Sequence, residues 1–105
     1  MKKLLAPAAA LILLTGCASP TSEDATMDAC DTFAYYLEDA ESPEQMDRAT
    51  TVEQIGVELE GKPAPDARIT DAVDVMERTV DGSESAWVMG ADMMAAACMD
   101  LGWES

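Results

Sequence analysis

Met89, Met93, Met94 and Met99 crowd the stretch WVMGADMMAAACM, and thioethers at that density could ligate a soft cation such as Cu(I). Met89 and Met93 share a helical face at a four-residue interval, whereas Met94 and Met99 turn elsewhere, so the same side chains would equally fill an irregular core or line an adaptable groove. Asp71, Asp74, Glu77 and Asp81 form a second concentration of ligands, this time for a hard cation. A calcium loop alternates carboxylates at short intervals around a glycine; these residues do not, and a solvated helix face is expected instead. Histidine is absent, which removes the usual general base at neutral pH and the partner of a Ser or Cys nucleophile. Carboxylate pairs could still move protons, but only inside a cleft that perturbs one member. No catalytic residue and no metal ligand is therefore assigned. The remaining chemistry lies in Cys17, Cys30 and Cys98, an odd number that cannot be paired off within the chain.

Cys17 closes a distinctive N-terminal segment. Met1-Lys2-Lys3 is a short positive head, and Leu4 to Leu14 is a short apolar body containing Pro7. A permanent span needs about 20 apolar residues, so residues 1–16 are expected to be a signal peptide. At its end, Leu14-Thr15-Gly16-Cys17 resembles the bacterial lipobox. The resemblance covers this segment alone. It implies that the Cys17 sulfur receives a diacylglyceryl group, that residues 1–16 are then removed, and that Cys17 becomes the first residue of the mature protein. Two or three acyl chains would hold the protein stably on the extracytoplasmic face of the cell membrane. With Cys17 consumed in this way, Cys30 and Cys98 remain in an exported chain, where disulfides persist, and are expected to pair. Closing so long a loop should add roughly 4 to 5 kcal/mol.

The chain after residue 16 is long enough for one small domain. Arg48, Lys62, Arg68 and Arg78 are its only basic residues against 21 acidic ones, a formal charge of about −17. Nucleic acid is disfavoured as a partner, because such affinity comes from Lys and Arg on phosphates. An anionic lipid surface would also repel the domain, so the anchor holds it close while its charge makes it stand off.

Helices must position these residues. Residues 17–25, with "ASPTSEDA" after the cysteine, read as a lipidated tether of at most about 28 Å, and residues 26–105 as the helical domain. Met27, Cys30, Phe33 or Ala34, Leu37 and Ala40 recur at helical spacing to about Glu41. Ser42-Pro43-Glu44-Gln45 matches a capping box that starts a second helix at Pro43, with Met46, Ala49, Val52, Ile55 and Leu59 as its apolar stripe. Gly61-Lys62-Pro63-Ala64-Pro65 ends it, and Asp66 can cap a third helix carrying Ile69, Val73, Met76 and Val80 as far as Asp81-Gly82. Ser83 or Ser85 can cap a fourth, with Trp87, Gly90 or Ala91, Met94, Ala97 or Cys98, and Leu101 on one face. The expected fold is an all-α bundle of three or four helices closed by one disulfide.

Tyr35, Tyr36 and Trp103 are the candidate interface residues. The tyrosines are adjacent on a helix, so at most one can point fully inward. The expected function is a binding module near the membrane surface, acting on an envelope or phage protein. An abundance of Ala, Asp and Glu resembles the small lipoproteins of high-GC Gram-positive bacteria and their phages, which implies a sharper role in superinfection exclusion, the blocking of DNA injection by a second phage. Copper binding through Met89 and Met93 is the alternative from a different class. A surface-charge role without a specific partner is a third.

Overall fold

The computed structural model describes residues 21–104; the expected signal peptide and Cys17 lie outside them. The described residues form four α-helices and one 3₁₀ turn, with no strand: α1 (Ser22–Ala40), the 3₁₀ turn (Pro43–Gln45), α2 (Arg48–Leu59), α3 (Ala67–Arg78) and α4 (Glu84–Asp100). Each helix packs on its sequence neighbour, and α4 returns to α1. The all-α bundle expected from the periodicity is present in its four-helix form.

The first helix begins earlier than the tether pattern implied. Thr21 and Asp24 cap it reciprocally: Asp24 N–H donates to Thr21 Oγ1 (3.1 Å) and Thr21 N–H to Asp24 Oδ2 (3.0 Å). Ala25 and Thr26 are already buried. The expected boundary at 25/26 is corrected accordingly, since Ser22 to Ala25 form the first turn of α1, with Ser22, Glu23 and Asp24 exposed and Ala25 turned into the core. At the other end, Glu41 takes a left-handed conformation (φ 75°), with its N–H bonded to the Leu37 carbonyl.

The capping box at Ser42 does not form. Ser42 makes no side-chain cap, Met46 is extended, and Asp47 caps α2 by accepting from Thr50 N–H at 3.0 Å. In a continuous α-helix the Pro43 carbonyl would accept from the N–H four residues on; here it accepts from Met46 N–H (3.3 Å), closing the 3₁₀ turn, and from Trp87 Nε1 (2.9 Å), and Met46 turns into the core. The later start rotates the buried face of α2. Thr51 and Ile55 are buried while Ala49 is exposed, and Thr51 satisfies its hydroxyl on the Asp47 carbonyl (2.8 Å).

Asp66 caps α3 through Arg68 N–H (2.9 Å), and Ser83 rather than Ser85 caps α4 through Ala86 N–H (3.2 Å). The third helix ends at Arg78, short of Asp81-Gly82. There the Thr79 hydroxyl bonds back to the Val75 carbonyl (2.9 Å). Where α3 meets α4, a Cβ on Gly90 would stand 3.1 Å from Val75 Cγ1 and 3.3 Å from the Met76 backbone nitrogen. This close approach seals the floor of the core formed by Ile69, Ala72, Met76, Trp87 and Met94.

Cys30 on α1 and Cys98 on α4 form the expected disulfide, with their Cα atoms 5.9 Å apart. It links the first helix to the last. Among the described residues, the buried side chains, the partly buried ones packed against them and the disulfide all lie between Ala25 and Trp103.

Candidate functional site

Two hydrogen bonds and an ion pair gather one end of the bundle. Asp66 N–H donates to Thr26 Oγ1 (3.0 Å), Trp103 Nε1 to Asp31 Oδ1 (2.7 Å), and Lys62 pairs with Asp28. The start of α1, the loop before α3 and the C-terminal residues therefore share that end. The opposite end holds Pro43, Arg48, the turn after α3, and Trp87.

Asp31 stands between the expected interface residues. On one side it lines an open, polar cleft of about 300 Å³ between α1 and α2, with Tyr35, Tyr36, Gln54 and Glu58. Tyr35 is 66% exposed, while Tyr36 leans on the core, and their rings meet edge to face with centroids 5.1 Å apart. On its other side Asp31 holds Trp103 at the mouth of a groove of about 220 Å³ between α1 and α4. Phe33, Leu37, Ala95, Met99 and the Cys30–Cys98 bridge line that groove, with Glu38 also in its wall. The three candidates thus do not make one patch: the tyrosines belong to a polar cleft and Trp103 to an apolar groove.

Of the clustered methionines, Met94 is fully buried and fills the core. Met89, Met93 and Met99 are exposed, and Met99, at 71%, edges the groove. Leu37 has the spacing of an ordinary core position, and Met99, off the apolar stripe of α4, stands out in the sequence only as one of the clustered thioethers. Arg48 is a further residue that the motif reading missed. Its Nη1 lies 2.9 Å from the Gly82 carbonyl, 3.3 Å from that of Val80 and 3.4 Å from that of Thr79. An arginine just after a capping residue, in a chain so poor in cations, is the signal that could have found it.

Every basic side chain after residue 16 is engaged within the chain. Arg48 serves carbonyls, Lys62 pairs with Asp28, Arg68 with Asp66 (3.1 Å) and Arg78 with Asp74 (3.1 Å). The hydrogen bond to Asp28 is the main cause that raises the Lys62 ammonium above its ordinary range. The Arg68 side chain, followed by the bond from its backbone N–H, holds the Asp66 carboxyl below the usual carboxylate range. Most of the 21 carboxylates have no cationic partner of their own among the described residues.

Among the described residues no helix is long and apolar enough to cross a membrane, and no three His, Cys, Asp or Glu side chains gather as metal ligands. The groove sets apolar side chains beside the Glu38 carboxylate. Comparison with family models, curated proteins and solved structures gives no match to this chain.

Proposed function

We propose that the chain is an exported lipoprotein, held at the extracytoplasmic face of the cell membrane by a diacylglyceryl group on Cys17, whose helical bundle binds a protein partner close to that surface. The single observation that carries this is the segment Leu14-Thr15-Gly16-Cys17 at the end of a short apolar run with a positive head. The Cys30–Cys98 bridge supports it, since disulfides persist outside the reducing cytoplasm. From Cys17 to the cap at Thr21 the chain reaches at most about 14 Å, so the start of α1, the Lys62 loop and Trp103 would stand nearest the lipid.

So short a tether suits a partner that passes or sits at the membrane surface. The specific form is exclusion of a second phage at the step of DNA injection. Cells making the protein should then resist particular phages, and Cys17→Ala should abolish resistance; unchanged plating on a broad panel would remove that form.

The general function is tested by in-cell cross-linking and mass spectrometry, with the native chain and Cys17→Ala at matched abundance. One partner captured only by the native chain supports a membrane-proximal binding module. Capture of the same abundant neighbours by both chains would count against it.

A further inference from the structure

We propose that the groove between α1 and α4 is a docking site for a positively charged amphipathic helix of a protein partner. Its apolar side chains would seat on Phe33, Leu37 and Met99, and a Lys or Arg beside them would reach the Glu38 carboxylate in the wall. The proposal rests on the binding-module function above and names the surface and the partner's chemistry.

The groove is small. At about 220 Å³ it falls below the roughly 300–1,000 Å³ of sites that enclose small molecules. It matches one or two anchoring side chains. A furrow between two helices is the shape that receives the apolar face of a third.

Its walls are fixed and its rim is adaptable. Cys30 and Cys98 tie the two walls together at the floor, so the furrow exists before a partner arrives. Met99 and Trp103 edge it with a flexible thioether and an indole, and the hydrogen bond to Asp31 holds the indole in place.

Charge selects the occupant. Arg48, Lys62, Arg68 and Arg78 are all engaged elsewhere in the chain, so neutralisation of the groove's rim must come from the partner. A second copy would bring the same excess of carboxylates against itself, at a formal charge of about −17 on each side. The acyl chains on Cys17 have the bilayer to enter, and the groove starts at Cys30, about 14 Å along α1 from Thr21.

The test uses the oxidised chain from Ala18 to Ser105, checked for helicity by circular dichroism. The probe is a peptide of about 18 residues made of Leu and Lys in amphipathic helical order, compared with the same residues in an order that splits the apolar face. Trp103 reports occupancy through a blue shift of its emission, assigned by its loss in Trp103→Phe, because Trp87 is fully buried. The amphipathic peptide should bind about tenfold or more tightly than the scrambled one. Met99→Glu should weaken it by a similar factor, although an added carboxylate would strengthen attraction by bulk charge. Val57→Glu, at a 49% exposed position on α2, should change binding less than about twofold.

Equal binding of both peptides overturns the proposal, as does unchanged or tighter binding by Met99→Glu. A dimer that Met99→Glu disperses would make a second copy the occupant and overturn it too. The assay contains no lipid, so failure here would leave Cys17-dependent partner capture intact, and failure of that capture would leave this result standing.

Discussion

The Arg48 guanidinium lies over the Trp87 indole, 5.6 Å from its centroid, while Trp87 Nε1 donates to the Pro43 carbonyl. Arg48 also reaches the carbonyls of Thr79, Val80 and Gly82. One side chain therefore joins the start of α2 to the turn between α3 and α4, through contact that is partly withdrawn from water.

Arg48→Ala should destabilise the bundle by about 2 to 3 kcal/mol, combining cation–π contact with charge-assisted hydrogen bonds to carbonyls left partly buried. Arg48→Lys keeps the charge but loses the planar fork, and should recover about half. Urea unfolding at neutral pH checks both; a loss under about 0.5 kcal/mol for Arg48→Ala would mean that the contact is ornamental.

Much of the fold is legible in local chemistry, and the exceptions share a cause. Asp66 and the Ser83 position are caps whose signals lie within a few residues, and both hold in the fold. The Cys30–Cys98 pair follows by subtraction once Cys17 is set apart. Ser42-Pro43-Glu44-Gln45 has an equally good local pattern, yet Trp87, far along the chain, bonds to the Pro43 carbonyl, and α2 starts at Arg48 behind the Asp47 cap instead. That shift carries Ala49 out and Thr51 in. The groove is hidden for the same reason: Leu37 and Met99 become neighbours only when α4 returns to α1.

Two glycines should respond oppositely to the same change. A Cβ added to Gly56 on α2 would have nothing within 4 Å, so Gly56→Ala should stabilise by about 0.5 to 1 kcal/mol through helix propensity. Gly90→Ala should fail to gain, because the added Cβ meets the Met76 backbone at 3.3 Å, and Gly90→Val should cost about 2 kcal/mol or more. Thermal melts of the three variants suffice to compare them. A gain at Gly90 equal to that at Gly56 would contradict the close approach of α3 and α4.

Removing the disulfide opens a loop of 68 residues, which corresponds to about 4 to 5 kcal/mol by chain entropy. For a domain of this size that is a large share of the whole. Cys30→Ala with Cys98→Ala should therefore melt far below the oxidised chain, as should the wild type under reductant. Superimposable melting curves with and without reductant would refute this.

Two ion pairs give pH dependences of opposite sign. Asp66 has its carboxyl lowered by Arg68, so its contribution is present above the ordinary carboxylate range and is lost as pH falls through its folded value. Lys62 is raised by Asp28, so its contribution is complete below the ordinary lysine range and is lost as pH climbs through its folded value. Relative to wild type, Asp66→Asn should flatten the acid limb of the stability profile and Asp28→Asn the alkaline limb. Exchanged effects, or none on either limb, would show that these pairs do not set the profile.

The proposed function depends most on Cys17. Mass spectrometry of the N-terminal peptide from membranes of producing cells tests it directly. A mature chain beginning at Cys17 with a diacylglyceryl group on its sulfur is the predicted result. A chain with a free thiol at Cys17, or one still carrying residues 1–16, would contradict the anchor and the membrane-proximal function built on it.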